Sequence, residues 1–267
     1  MDLGLQNKVA LVMGASRGMG LAVAEKLVQE GVRVVINSRD AKSLKAVADE
    51  LTQKYKQKVL PLPGDIGNGE QCKAILKETL DRFAGLDILF CNAGGPTAGS
   101  FEDVKDKDWD AAVDVNLKGM IRMMRLSYPI MKKNNWGRIV TLTSMSVKEV
   151  IDNLVLSNVT RLGVAGAVKS LSREVASFGI TVNNVCPGLI DTGRWNEIAK
   201  TLAKKEKAPA KKILEMLMAD NNKRIPMGRM GTPEEVANVV VFLMSQQAAY
   251  LTGQSISVDG GITRSIF

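Results

Sequence analysis

Ser157 and Arg161 stand four residues apart at the start of a strongly helical stretch, 162–178. Residues at that spacing lie on one helix face, one turn above each other. The two side chains therefore point the same way, into whatever cleft the helix borders. A hydroxyl there donates and accepts hydrogen bonds, and a guanidinium adds a fixed positive charge that neutral pH does not remove. Such a pair can bind hydroxyls or a developing oxyanion, but it is a poor source of protons. Far upstream lies a second group, Gly14-Ala15-Ser16-Arg17-Gly18-Met19-Gly20. Glycines at this spacing allow a tight turn and the close approach of a pyrophosphate, which then rests on a helix N-terminus. The same glycines also fit a plain strand-to-helix turn, so their context decides.

That context is strand, glycine turn, helix. Val9–Met13 is a short β-branched apolar run, and an amphipathic helix continues through Val28. Strands are expected at 32–36, 58–62, 86–90, 137–144 and 180–185, and helices at 41–55, 69–84 and 162–178. The segment 101–109 leads into a long helix containing Asn116. Steady alternation of this kind predicts a doubly wound α/β fold, a parallel Rossmann-like sheet in a single domain over 1–267.

The tip of the second strand reads Asn37-Ser38-Arg39, with no carboxylate before Asp40. An acid there would bind the ribose hydroxyls of a cofactor lacking a 2′-phosphate. Ser38 and Arg39, with Arg17, instead suit a phosphate, which makes NADP(H) the expected cofactor.

Composition narrows the classes further. The 267 residues include no histidine, which excludes Ser-His-Asp and Cys-His hydrolases and histidine metal sites. Cys72, Cys91 and Cys186 are widely spaced and fit reduced thiols in a cytoplasmic protein. No run of 18 apolar residues and no signal-peptide pattern occurs, so no membrane association is expected. The net charge of +8 suits an anionic cofactor or acidic partner. With no nucleic-acid-binding motif in view, nucleic acid is not an expected partner.

Taken in order, these pieces resemble the short-chain dehydrogenase/reductase family over nearly the whole chain, and most of all its 3-oxoacyl-acyl-carrier-protein reductase branch. The matching residues are the 14–20 turn, Asn92-Ala93-Gly94, Asn116, Ser144, Arg173-Glu174-Val175-Ala176, Pro187-Gly188, Pro233 to Ala237, and Leu251 to Gly261. The resemblance implies that Asp65 meets adenine with Ile66 beside it. It implies that Asn92, Ala93 and Gly94 back the ribose, and that Ile190 and Thr192, beyond Pro187 and Gly188, hold carboxamide and pyrophosphate. It also implies a catalytic set of Asn, Ser, Tyr and Lys. Asn116 and Ser144 carry across directly. The Tyr and Lys positions, thirteen and seventeen residues after Ser144, hold Ser157 and Arg161. Met13 departs more mildly, where the family usually has Thr.

Two functions follow from the resemblance: an atypical carbonyl or 3-oxoacyl-thioester reductase, or a cofactor-binding protein with little turnover. The resemblance further implies a homotetramer paired through helices near 110–132 and 157–178, and a substrate lid at about 192–229. The lid is rich in lysine (Lys200, Lys204, Lys205, Lys207, Lys211, Lys212), a charge that fits an acidic acyl carrier or acyl-CoA phosphates.

Overall fold

Apolar runs without alternation belong to strands covered on both faces. β1 (Val9–Met13), β4 (Ile88–Cys91), β5 (Gly137–Leu142) and β6 (Ile180–Pro187) are buried along their whole length. The computed structural model describes all residues except 1, 194, 197–198, 201–202, 204–208 and 267. With β2 (Arg33–Ser38), β3 (Leu60–Pro63) and β7 (Ser255–Val258), the strands among the described residues form one seven-stranded parallel sheet. Its order is β3-β2-β1-β4-β5-β6-β7.

Helices cover both faces. α1 (Gly18–Gln29), α2 (Ala41–Tyr55) and α8 (Pro233–Met244) close one side, with Leu27, Leu44 and Val240 in one core with Ala10 and Val12. α3 (Gly69–Phe83), α5 (Met120–Lys133) and α6 (Val155–Val175) close the other, with Leu76, Met124 and Val168 in one core with Val9 and Leu11. Alternate residues of β1 thus feed opposite cores, as the strand's two-residue period requires. The strand order reverses between β1 and β4, and the crevice beyond their carboxyl ends is where such sheets bind ligands.

Four features depart from the sequence reading. α6 begins at Val155 instead of 162. Its first turns carry Asn158, Val159 and Thr160, weak helix formers that packing of the fully buried Leu156 overrides. The long helix around Asn116 is three pieces: α4 (Asp106–Ala112), a π-helical segment at Val113–Gly119, and α5. π-Helical turns of this kind gather at functional positions. β5 stops at Leu142, so Ser144 lies just past the strand and caps a short 3-10 turn, Met145–Val147. Residues Ser255–Val258 form a strand that the sequence did not announce, β7, which pairs with β6 from Asn184↔Ser255 to Pro187↔Val258.

Within the segment expected to form a lid, α7 (Ala210–Arg224) carries Lys211, Lys212, Lys223 and Arg224, with Ile213 buried. Arg194, Glu197, Lys204, Lys205, Glu206 and Lys207 lie outside the described residues. Among the described residues no helix is long and apolar enough to cross a membrane.

Candidate active site

Gly14 (φ 64°) and Gly18 (φ 58°) take the left-handed conformation that side chains disfavour. A Cβ on Gly20 would stand 2.2 Å from the Gly14 carbonyl oxygen, so only glycine lets α1 fold back this tightly on β1. The first turn of α1 contains no acidic residue, and its N-cap Arg17 makes no side-chain capping bond. A helix N-terminus of this kind on a glycine turn fits an anion such as a pyrophosphate. Thr192 closes the same turn from across the crevice: its Cγ2 would lie 3.7 Å from a Cβ built on Gly18. Met19 is half-buried against the core, and Ser16 is half-buried in the turn itself.

At the tip of β2 the nearest carboxylate is committed elsewhere. Asp40 Oδ1 accepts from the Ser43 backbone N–H at 2.7 Å and caps α2. Hydrogen bonds from the Ser43 side chain and backbone hold this carboxyl below its usual range. Ser38 Oγ donates to the Asp40 carbonyl at 3.4 Å, while Arg39 and Arg17 are exposed. Beyond β3, Asp65 Oδ1 accepts from Gly67 N–H at 2.8 Å, and the Ile66 carbonyl accepts from Arg122 at 3.0 Å.

The turn after β4 is the centre of the site, because three neighbouring residues are tied to three different elements. Asn92 Nδ2 donates to the Gly14 carbonyl at 3.2 Å and fixes the turn to the glycine loop. Arg161 on α6 donates to the Ala93 carbonyl at 3.4 Å. Asn116, only 2% exposed in the π-helical segment, donates to the Gly94 carbonyl at 2.7 Å.

Arg161 is 4% exposed, so the expectation of a side chain reaching freely into the cleft gives way to a buried clamp. Besides Ala93 it donates to the Leu142 carbonyl at 3.3 Å and touches Met120 Sδ at 3.9 Å. One guanidinium thus joins the ends of β4 and β5 to α6. A planar fork with several donors can serve acceptors on two strands at once.

Ser144 Oγ accepts from Ser146 N–H at 3.1 Å. Ser157 is 7% exposed, and its hydroxyl lies 3.4 Å from that of Ser146. Ser144 and Ser157 are therefore brought to one place through Ser146, a residue the sequence did not single out. Its only signal was a serine two positions from Ser144. A second unread feature lies beneath: Thr141 and Thr143 hydroxyls both donate to Asn184 Oδ1 at 2.8 Å, and Asn184 Nδ2 reaches Ser255 Oγ at 3.1 Å. This buried network locks the strand ends that carry Ser144.

Pro187 ends β6. A Cβ on Gly188 would stand 2.7 Å from the Asp259 side chain, so glycine admits the loop after β7. Ile190 is buried, and its carbonyl accepts from Trp195 Nε1 at 2.7 Å. Farther along, a cavity of about 260 Å³ is lined by Asn196, Ala199, Lys200, Ala210, Lys211 and Leu214.

Known proteins match this chain along nearly its whole length. It is 36% identical to the 3-oxoacyl-acyl-carrier-protein reductase of Aquifex aeolicus, over 98% of this chain and 100% of that protein. It is 35% identical to the hydroxy(phenyl)methylsuccinyl-CoA dehydrogenase subunit BbsD of Thauera aromatica, over 99% of each. Among solved structures, L-sorbose reductase from Gluconobacter frateurii, complexed with NADPH and L-sorbose, superposes with a TM-score of 0.94 at 32% identity, over 100% of both chains. A family model described as enoyl-(acyl carrier protein) reductase matches residues 14–263, and with these relatives it establishes that the chain belongs to the short-chain dehydrogenase/reductase family.

Proposed function

We propose that the chain is an NADP(H)-dependent reductase that converts a carbonyl to an alcohol with an atypical catalytic set. The observation that carries this reading is that Asn116 and Arg161 both bind the turn after β4, beside the glycine loop, while Ser144 and Ser157 meet through Ser146. The cofactor-binding set is the one read from the sequence: the 14–20 turn, Ser38, Arg39, Asp65, Ile66, Asn92 to Gly94, Arg161, Pro187, Gly188, Ile190 and Thr192. NADPH relatives such as the sorbose reductase support the choice of cofactor, and a reduced nicotinamide supplies the hydride when bound.

The protein's own contribution is to hold and polarise the oxygen. Ser157 and Arg161 stand where the family resemblance places Tyr and Lys. A serine is a far weaker acid than a phenol, whose pKa is about 10. Arg161 cannot give up its proton. Ser144 and Ser157 therefore donate hydrogen bonds to the substrate oxygen, the fixed charge of Arg161 stabilises the developing oxyanion, and water supplies the proton. The acyl-carrier-protein reductase and the CoA-linked dehydrogenase among the relatives favour an acyl thioester as substrate. Lys200, Lys211 and Lys212, exposed on the lid, suit the phosphates or acidic carrier of such a thioester.

A second reading is a cofactor-binding protein with little turnover. The observation that favours it is the engagement of Arg161 by two backbone carbonyls, which makes it a structural clamp first.

Exposed Val159 (48%) and Leu162 (57%) on α6 support self-association through that helix into a homotetramer. Light scattering at micromolar concentration is expected to give four times the chain mass; a monomer would contradict the assembly.

The exposed Arg39 and Arg17 and the capping role of Asp40 lead to a preference for NADPH over NADH. Fluorescence titration should give at least about tenfold tighter NADPH binding, the worth of one charge-assisted hydrogen bond. Arg39→Asp should abolish the difference, and equal wild-type affinities would refute the assignment.

At the catalytic pair, Arg161→Ala should lower turnover about 100-fold. It should also depress the melting temperature, because the buried carbonyls of Ala93 and Leu142 lose their donor. Ser157→Ala should cost about tenfold, since a water can replace the small hydroxyl. Ser157→Tyr with Arg161→Lys should raise the rate. NADPH oxidation with a ketone panel measures all three. A wild type inactive throughout, with no gain in the double variant, would favour the binding protein.

A further inference from the structure

Ser146 plays no part in the catalytic set above, yet it touches both of the serines that do. Its backbone N–H donates to Ser144 Oγ at 3.1 Å, and its hydroxyl faces Ser157 Oγ at 3.4 Å. Each serine hydroxyl has a single proton. A group that donates to the oxygen leaves that proton for a third atom.

We propose that Ser146 is a positioning residue that donates to Ser144 and Ser157 together, turning the one proton of each hydroxyl toward the substrate oxygen. The inference rests on the carbonyl-reduction reading and supplies what that reading lacks, a reason for two small hydroxyls to act as one donor pair. The donors then run in one direction: Ser146 O–H to Ser157 Oγ, and Ser157 O–H to the substrate. Donors linked in this way polarise one another. The 3.4 Å separation is longer than the usual O–H···O range of about 2.5–3.0 Å. Such contacts are often long before the reacting complex forms, and they tighten in it.

The surroundings suit this task. Ser146 is buried and sits in the 3-10 turn, so its backbone N–H is held on Ser144 by the turn itself. Ser157 lies in the first turn of α6, where the helix dipole favours negative charge. Arg161 follows one turn later on the same face. Ser157 thus lies in the first turn of α6 with the Ser146 hydroxyl against it. That is the environment in which an oxygen stabilises negative charge passed on from its neighbour.

A thiol in place of the Ser157 hydroxyl reports the donor directly, without any turnover. In the Ser157→Cys protein the three native cysteines remain buried, and burial raises the pKa of each. The introduced thiol is read as the difference between the thiolate absorbance of this protein and that of the wild type, which carries the same three native cysteines. Adding Ser146→Ala should raise the pKa of the introduced thiol by about one unit, the effect of removing one hydrogen bond to an anion. Ser146→Thr in the same background should leave that pKa unchanged. An identical pKa with Ser146 and with Ser146→Ala would overturn the proposal.

Kinetics give the second readout. Ser146→Ala and Ser157→Ala should each lower kcat about tenfold, and the double variant should fall no further, as residues acting as one unit do. Fully multiplicative losses would also refute the pairing. If the wild type reduces no carbonyl at all, the reductase reading fails, while the thiol titration still decides the role of Ser146.

Discussion

The buried guanidinium of Arg161 is the contact on which the site depends. Its bonds to the carbonyls of Ala93 and Leu142 hold the ends of β4 and β5 at a fixed spacing from α6. A buried charge is costly unless hydrogen bonds replace the water it loses, and here strand-end carbonyls do so. Because the neighbouring Gly94 carbonyl is held by Asn116 and the Gly14 carbonyl by Asn92, the turn after β4 cannot move without breaking bonds to three elements. Ser144 and Ser157 inherit their positions from this frame: one leaves β5 just past Leu142, the other precedes Arg161 by one turn of α6.

The frame also bears on the proposed chemistry, in which Ser157 and Arg161 stand where the family resemblance expects Tyr and Lys. A lysine has three donors on one atom and suits a single compact contact, whereas an arginine reaches separated acceptors in a plane. In the proposed reductase, arginine in the clamp keeps the positive charge permanent and leaves the pair without a route to acid catalysis. A small hydroxyl next to it then makes sense as a hydrogen-bond donor to an oxygen, with solvent supplying protons. The same geometry is compatible with tight cofactor binding, so the chemistry and the binding role share one scaffold and differ in whether hydride leaves it.

Much of the fold was legible because its signals are local. The apolar run Val9–Met13 and the helix Ala41–Tyr55 appear with the bounds expected from the sequence. Gly14 and Gly20 marked a turn that sterics reserve for glycine. What was not legible depends on packing or on hydrogen bonds between distant segments. The start of α6 is hidden by Asn158, Val159 and Thr160, whose weak helix propensity is overridden by burial of Leu156. The π-helical turn at Asn116 has no side-chain periodicity of its own to announce it. β7 is short and half-buried, without the apolar run of its neighbours. In the site, the type and spacing of Ser157 and Arg161 were readable, but the burial of the guanidinium and the bridge through Ser146 were not. Those require β4, β5 and α6 to meet in space.

In the proposed reductase this frame moves a hydride onto a carbonyl carbon. Its most direct test uses NADPH deuterated at the transferable position of the nicotinamide, incubated at high protein concentration with a 3-oxoacyl thioester, and mass spectrometry of the products. The expected product is an alcohol carrying one deuterium on the former carbonyl carbon, with matching loss of label from the cofactor, even at a slow rate. Bound cofactor that keeps its label while the thioester stays unreduced would contradict it.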